Sequence, residues 1–284
     1  MLKLLVCIKQ VPMVTELPWD AATGSLKRYM AEGMMNPACK HALEAAVQIK
    51  SLYGAHITAL SMGPPAAEEV LREALAMGAD RGVLLTDPRM AGADTLITSH
   101  TLAMAIRKQC PDFDLILCGS CTSDSETAQV GPQIAEALDI AGAAYAAHIA
   151  IEGRTVQVQR ECDDFLETLE MEMPALVTIA TTGHHPRYAS LPGLQNAFEC
   201  GDIAVLDADA IGLEPGTSGM KASPTRILDV YTPTAGKTNV ILKGAAPKMA
   251  QTLFERFGDR LSGAMAKDLK THEHDDFHDE SDDE

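Results

Sequence analysis

Two kinds of segment alternate along the first 120 residues of the chain. Short aliphatic runs, hydrophobic at nearly every position, occupy 2–8, 55–62, 81–87 and 113–119. Such runs are typical of strands buried on both faces of a parallel sheet. Longer segments that are hydrophobic on one helical face lie between them, at 36–54, 64–78, 93–109 and about 127–138. This alternation of strands and helices predicts a doubly wound α/β domain.

The first predicted helix has clear boundary signals, with Asn36 at its N-cap, Pro37 in its first turn and Gly54 after its end. From about residue 141 the pattern changes to a period of two around the turn Glu-Gly-Arg at 152–154, which predicts an antiparallel extension of the sheet. The chain then becomes irregular after Gly183.

These patterns predict three regions: an α/β domain at 1–200, a C-terminal arm and helix at 201–268, and an acidic tail at 269–284. The arm contains little apolar repetition and cannot bury itself well, so we expect it to lie on a partner subunit. The last helix is predicted from 247 to about 268.

The composition is that of a soluble globular protein, with 46% hydrophobic and 22% charged residues. Only 4% of the residues are aromatic, so the core must be aliphatic. No apolar run approaches the roughly 18 residues of a membrane span. The apolar start of the chain fits a first buried strand better than a signal peptide. Its seven scattered cysteines, an odd number, favour reduced thiols and a cytoplasmic location.

The net charge of −17 is unevenly distributed. Eight of the last 14 residues are acidic and none is Lys or Arg, so subtracting them leaves about −9 for the rest of the chain. The tail is predicted to be a solvated, disordered segment, although its histidines could bind a metal weakly. A body this acidic argues against nucleic acid, whose phosphates need a basic surface.

The stretch "CGSCTSDSETAQVGPQ" at 118–133 has three possible interpretations. A redox dithiol formed by Cys118 and Cys121 would need a helix start close to the thiols, and the polar residues after Cys121 delay the helix. A zinc site would need four ligands, and no second Cys-x-x-Cys or paired His lies at a usable spacing, apart from the His pair at 184–185. The third interpretation is a loop that holds a phosphate.

The phosphate interpretation fits the position of the stretch. Ligands of open parallel sheets bind beyond the carboxyl ends of the strands, and this loop follows the last predicted strand and precedes a helix start near Thr127. Asp124 and Glu126 would repel phosphate, so we expect them to face ribose hydroxyls or to cap the helix. Neither a P-loop motif nor G-x-G-x-x-G is present. The loop is therefore predicted to bind a nucleotide in another way.

Several longer motifs resemble a known family. "LLVCIKQVP", "NPACKHALEAA", "EALAMGADRG", "DLILCG", "ETAQVGPQIAEALDI" and "PRYASLP" occur in this order. Over about residues 1–230 the chain resembles the beta subunit of electron transfer flavoproteins, the EtfB/FixA family. The resemblance implies a Rossmann-like fold and a heterodimer with an alpha subunit that mainly holds the redox FAD. It also implies an adenine nucleotide, AMP in many members, in the beta subunit.

The family's nucleotide contacts can be carried over by motif to four places in this sequence. They fall on Cys7, Asn36, Pro37, Ala38, Cys39, Met62, Gly119, Ser120, Cys121, Thr122, Ser123, Asp124, Ser125, Glu126, Thr127, Ala128, Gln129 and Val130.

The resemblance also implies a docking loop for a flavin dehydrogenase, such as an acyl-CoA dehydrogenase, at about 184–200. Its motif residues here are Arg187, Tyr188, Leu191 and Pro192, with Leu191 at the position of the family's anchoring leucine. An exposed leucine in a polar loop is a reasonable interface anchor. The alternative is that Leu191 packs into the core of its own chain.

The sequence departs from the usual family pattern in two places. The usual loop reads like "GRQAIDGDTAQVGP" where this chain has "GSCTSDSETAQVGP", and no lysine run follows the docking loop. The second departure, with "TGSLKR" at 23–28, resembles the electron-bifurcating members, in which a second FAD replaces AMP and NADH supplies the electrons. The changed loop favours AMP or a divergent flavin site, so both remain open.

No residue has the pattern of a proton-transfer catalyst, and the isolated histidines are interpreted as structural. We therefore expect a redox-carrier subunit whose chemistry belongs to its cofactor. A nucleotide-binding sensor of the universal-stress type, which shares the α/β plan, is the alternative from another class.

Overall fold

The computed structural model describes residues 1–13, 19–20, 25–26, 32–226, 228 and 240–272. The strands are β1 (Leu2–Cys7), β2 (Gln10–Pro12), β3 (Trp19–Asp20), β4 (Ser25–Leu26), β5 (Gly33–Met35), β6 (Ala55–Met62), β7 (Arg81–Leu85), β8 (Leu115–Gly119), β9 (Ala141–Glu152), β10 (Thr155–Cys162), β11 (Phe165–Glu172), β12 (Ala175–Ile179) and β13 (Ile203–Leu206). The α-helices are α1 (Pro37–Tyr53), α2 (Glu68–Met77), α3 (Thr95–Gln109), α4 (Val130–Leu138), α5 (Leu191–Glu199), α6 (Gly219–Ala222) and α7 (Ala246–His272).

A nine-stranded sheet forms the centre of the first compact unit, Met1–Val230, in the order β11-β10-β9-β12-β8-β1-β6-β7-β13. The strands from β12 to β13 in this order run parallel. β9 is parallel to β12 and antiparallel to β10, so the hairpins β9–β10–β11 extend the sheet at one edge. The predicted parallel sheet and antiparallel extension are both confirmed.

Helices cover both faces of the sheet because alternate residues of each strand point to opposite sides. On one face α1 and α2 pack against residues such as Leu4 and Leu115. On the other face α3 and α4 pack against Leu5 and Ile116. Both layers are built from aliphatic side chains, as the scarcity of aromatic residues predicts. The domain is therefore a three-layer, doubly wound α/β structure.

The chain after residue 200 packs on its own domain for longer than the sequence predicts. β13 pairs with β7 as a further parallel strand, and the buried side chains of Ile211 and Leu213 join the core on the α3 and α4 side. Carboxylates of the domain accept backbone N–H groups of the arm: Asp87 from Ala208 at 3.1 Å, and Asp94 from Thr225 at 3.0 Å. The sequence predicts that this arm packs on a partner subunit, whereas residues 203–226 pack on their own domain.

The second unit, Tyr231–Glu284, contains α7. This helix confirms the prediction of a last helix at 247–268. The motif at 23–28 lies mostly outside the described residues, and so does the acidic tail from 273 onward. Among the described helices, none has the length and the apolar character needed to cross a membrane.

Candidate functional site

The candidate site lies where the strand order changes direction. β1 is at the centre of the parallel strands, with β6 and β7 on one side, and the chain crosses through α3 to place β8 on the other side. Cys7 at the end of β1 is paired in register with Cys118 of β8. In open α/β sheets the crevice at such a switch point, beyond the carboxyl ends of the strands, is the usual ligand site.

Asn36 connects the start of α1 to the loop after β8, and its side chain is only 1% exposed. Its Nδ2 donates to the carbonyl oxygen of Cys121 at 2.8 Å, and its Oδ1 accepts from the backbone N–H of Ser123 at 3.0 Å. Nδ2 also lies 3.3 Å from Sγ of Cys39. The sequence correctly places Asn36 before the helix, but the side chain does not cap α1. Instead it holds the loop against the helix.

Lys9 and Asp124 form a second connection between the end of β1 and the loop. Nζ of Lys9 lies 2.8 Å and 3.0 Å from the two carboxylate oxygens of Asp124, whose side chain is 4% exposed. Asp124 does not cap α4, which begins at Val130 without a side-chain cap, and the expectation that it faces a ribose stays a prediction. Lys9 is absent from the residues predicted from the sequence, although it is the first lysine after β1.

The loop continues with an unusual backbone conformation. The N–H of Glu126 donates to the carbonyl of Thr122 at 2.8 Å, closing a turn. Glu126 and Ala128 have φ values of 47° and 55°, in the region that residues with a side chain rarely adopt. α4 begins at Val130, three residues later than the predicted start at Thr127. Ala128 lies in the first turn of the helix predicted at about 127–138, whereas Glu126 lies just before it.

Backbone N–H groups are concentrated at the end of this loop. Within the described part of the chain, the N–H groups of residues 127–131 have no recorded acceptor. Ala128, with positive φ, is followed by Gln129 at φ −93° and ψ −30°. A left-handed residue followed by a right-handed one turns successive N–H groups toward one side and forms an anion-binding concavity. We name residues 126–131 the amide cradle.

Gly119 allows β8 to end directly against the start of α1. A Cβ atom at Gly119 would lie 2.6 Å from the carbonyl carbon of Ala38 and 2.8 Å from the backbone nitrogen of Cys39. These neighbours are backbone atoms and cannot rotate away. Glycine at this position therefore brings the predicted segments 36–39 and 119–123 into contact.

The remaining predicted contacts lie around this centre. Met62 ends β6, the strand next to β1, and is half-buried. Ser120 donates its N–H to Ile179 of β12 at 3.0 Å. Oε1 of Gln129 accepts from the hydroxyl of Thr95 at 2.8 Å, which ties the cradle to the start of α3. The structure thus gathers the four predicted segments along one edge of the sheet.

The first thiol of the loop's cysteine pair, Cys118, is buried. A hydrogen bond with Cys7 and burial raise the pKa of Cys118 well above its ordinary value, so the thiol stays protonated at neutral pH. Burial also raises the pKa of Cys39. Among the described residues, no group of three or more His, Cys, Asp or Glu side chains could hold a metal ion.

The predicted docking residues form a separate surface on the α1 and α2 face. The side chains of Tyr188 and Leu191 are 99% and 83% exposed. The alternative that Leu191 packs into the core is therefore wrong. Leu191 and Pro192 open α5 rather than lying in a loop, and Ser190 caps this helix by accepting from the N–H of Gly193 at 3.1 Å. Arg187 is held by Glu44 of α1.

Two depressions elsewhere in the surface lie near the amino ends of the strands. Arg154 and Tyr53 are among the residues lining one, and Arg81 and Phe113 are among those lining the other. None of the residues predicted to bind a nucleotide lines either of them. The sheet topology and the amide cradle together favour the carboxyl edge as the functional site.

The chain is similar to known proteins over most of its length. The model of the electron transfer flavoprotein domain matches residues 23–208. The electron transfer flavoprotein subunit beta of Thermoanaerobacterium thermosaccharolyticum is 40% identical over 259 residues, spanning 91% of this chain and 99% of that protein. Subunit CarD of the caffeyl-CoA reductase-Etf complex of Acetobacterium woodii is 41% identical over 82% of this chain and 89% of its own length. Protein FixA of Azorhizobium caulinodans is 37% identical, with coverages of 82% and 85%.

Proposed function

Because this chain belongs to the electron transfer flavoprotein family as a beta subunit, we propose that it binds an adenine nucleotide in the amide cradle and pairs with an alpha subunit. Together the two subunits carry electrons from a flavin dehydrogenase to an acceptor. The universal-stress sensor considered from the sequence is set aside, because the family match covers most of the α/β domain.

The observation that carries the nucleotide site is the run of N–H groups at 127–131, for which the described residues provide no hydrogen-bond acceptor. Unsatisfied N–H groups at a helix start favour a negatively charged group, and phosphate binds there without a lysine. The positive φ at Ala128 supports this role, since sparsely populated backbone conformations are costly and cluster at ligand sites. A nucleotide phosphate fits the cradle in chemistry and position.

The electrostatics of the loop support the same proposal. An acidic residue beside a phosphate would normally repel it, and besides Glu126 of the cradle itself this loop contains Asp124. The carboxylate of Asp124 is held within 3.0 Å of Lys9, so its negative charge is largely offset and opposes the partial positive charge of the N–H groups less. Asn36 fixes the loop in this arrangement from the other side.

The nucleotide has two candidate identities, AMP and a second FAD. When bound, a flavin supplies the electron-carrying chemistry, and the residues of this chain bind, orient and shield it. AMP would make the site structural and the heterodimer a simple carrier. A second FAD would make it part of an electron-bifurcating complex that oxidises NADH. The absence of a lysine run after 192 in the sequence favours this second candidate, whereas the altered residues 120–126 favour AMP.

Substitutions of Ala128 test the cradle without removing any functional group. Ala128→Gly keeps the N–H groups and tolerates positive φ, whereas Ala128→Val places a β-branched side chain where such a conformation is strained. After co-expression with the alpha subunit, the heterodimer is denatured and its nucleotides are quantified by chromatography. We expect Ala128→Gly to retain the nucleotide of the beta site and Ala128→Val to lose most of it. Equal retention by both variants would contradict the cradle as the binding site.

Electron carriage is tested with the same heterodimer. A flavin dehydrogenase and its substrate should reduce the bound flavin, which is followed by its absorbance. The Acetobacterium woodii relative is named as part of a caffeyl-CoA reductase complex, which supports trying dehydrogenases of CoA esters first. Leu191→Ala should slow this reduction sharply and leave the flavin content unchanged. Equal rates for Leu191→Ala and the wild type would remove Leu191 from the docking surface.

A further inference from the structure

We propose that Glu44 is a positioning residue for electron transfer: from the middle of α1, its carboxylate fixes the segment 184–191 so that Tyr188 and Leu191 project toward the dehydrogenase. This inference rests on the proposed function. It adds a residue that the sequence motifs of the docking loop do not include, because Glu44 lies in another element 143 positions from Arg187.

Glu44 makes an unusually complete set of contacts for a helix carboxylate. Its side chain is 5% exposed. Arg187 donates to it three times, from Nε at 2.8 Å, from Nη2 at 2.8 Å and from its backbone N–H at 3.2 Å. Nε2 of Gln48, one turn further along α1, donates to Oε1 at 3.0 Å. A carboxylate held by a guanidinium fork and a backbone N–H permits one orientation of the segment.

The segment 180–190 depends on such contacts because it contains no helix or strand. It is packed closely at Gly183, where an added Cβ would overlap the carbonyl oxygen of Ala147. Nδ1 of His184 lies 3.0 Å from Oε1 of Gln48. Beyond Arg187, the half-buried Ala189 packs against the core, and Gly193 packs against the carbonyl oxygen of Ala76. The exposed residues 188 and 191 therefore alternate with residues fixed on the domain, of which Arg187 is the first.

The ionic character of the contact also favours a positioning role. Burial alone would raise the pKa of Glu44, but the hydrogen bonds from Arg187 and Gln48 lower it below its ordinary value. The carboxylate is therefore charged at neutral pH. The Arg187 side chain is 46% exposed, so the ion pair contributes little net stability, whereas loss of Arg187 would leave the buried carboxylate unpaired. The pair is better explained by the geometry that it imposes than by stability.

The surface held in this way has a defined chemistry. No charged residue occurs from Tyr188 to Phe198, and Tyr188, Leu191 and Phe198 are all exposed. The guanidinium of Arg72 lies 5.3 Å from the ring centroid of Phe198 and donates to the carbonyl of Ala197. These two contacts hold the C-terminal end of α5. The complementary site on the dehydrogenase is therefore expected to be an uncharged apolar pocket. An apolar anchor gains affinity only when it is presented in the correct position.

The experiment uses the full heterodimer as substrate for its dehydrogenase. Glu44→Gln should raise KM for the heterodimer about tenfold, change kcat less than about twofold, and leave flavin and nucleotide content unchanged. Glu73→Gln is the matched control, because Glu73 pairs with Lys40 at a half-exposed position outside the docking segment. Arg187→Lys, which keeps the charge but loses the guanidinium fork, should raise KM in the same way. Arg187→Lys also tests the same contact if the Glu44→Gln variant fails to fold.

A double-mutant cycle distinguishes positioning from a general loss of structure. If Glu44 acts through Leu191, adding Glu44→Gln to Leu191→Ala should change KM by less than about twofold, since residues that act together are not additive. Full additivity, or wild-type KM for both Glu44→Gln and Arg187→Lys, would overturn the inference. A wild-type heterodimer that no flavin dehydrogenase reduces would instead overturn the proposed function, because that result appears before any substitution is made.

Discussion

Replacement of Asn36 by alanine should loosen the loop that forms the nucleotide site while leaving the sheet intact. The substitution removes the donor to the carbonyl of Cys121 and the acceptor of the Ser123 N–H, at 2.8 Å and 3.0 Å. Asn36 itself is buried, but Cys121 is only half-buried and Ser123 is exposed. Water can therefore replace part of the hydrogen bonding that the Cys121 carbonyl and the Ser123 N–H lose.

The size of the effect follows from this partial exposure. Leaving a buried polar group without its partner costs about 1–3 kcal/mol. Water reaches the half-buried Cys121 and the exposed Ser123, so we expect a loss of only about 1.5 kcal/mol for the two hydrogen bonds together. If the substitution destabilises the binding-competent conformation of the loop by this amount, nucleotide affinity falls about tenfold. Asn36→Asp keeps the acceptor for Ser123 but loses the donor to Cys121 and buries a charge, so it should be no better than alanine.

Two measurements check this prediction. The free energy of unfolding is obtained from urea titration of the isolated chain, and nucleotide affinity from titration of the nucleotide-free heterodimer. Gln159→Ala, at an exposed amide of β10, is the matched control and should leave both quantities unchanged. Wild-type affinity in Asn36→Ala would show that this side chain does not hold the loop for nucleotide binding.

Three further predictions concern the same region and its neighbours. Gly119→Ala should destabilise the fold by about 1–3 kcal/mol in urea titration, because the new methyl group meets backbone atoms of α1 at 2.6–2.9 Å; an unchanged midpoint would contradict this packing. Lys9→Met should lower both nucleotide content and melting temperature, because it removes the lysine partner of the nearly buried Asp124; unaltered content would exclude the ion pair from the site. Burial lowers the pKa of His184 from its ordinary 6.5, so the unfolded chain takes up the proton first and stability should fall as pH drops below about 6.5. His184→Gln should flatten this dependence in melting curves recorded between about pH 5 and 7.

The fold was predictable where local pattern and tertiary packing agree. The runs that form β1, β6, β7 and β8 are hydrophobic on both faces because helices cover both faces of the sheet. The switch point then follows from the connectivity of a doubly wound sheet. β13 escaped prediction because it has only four residues, and its place beside β7 depends on the packing of the arm that follows it.

The site was predictable in location but not in the roles of its side chains. Asn36 has the local signature of a helix N-cap, and nothing nearby in sequence indicates bonds to residues more than 80 positions away. Asp124 looks like a solvent-facing acid until Lys9 is placed beside it. Glu44 has the sequence pattern of a surface helix position, whereas its partner Arg187 lies 143 positions later in the chain. Such long-range pairs arise only after the fold has formed.

The nucleotide content of the wild-type heterodimer tests the proposed nucleotide site most directly. The chain is co-expressed with its alpha subunit, the purified complex is denatured, and released FAD and AMP are quantified by chromatography. We expect two adenine nucleotides per heterodimer: one FAD with one AMP for a simple carrier, or two FAD for a bifurcating complex. A single FAD with no further nucleotide would contradict a nucleotide site in the amide cradle.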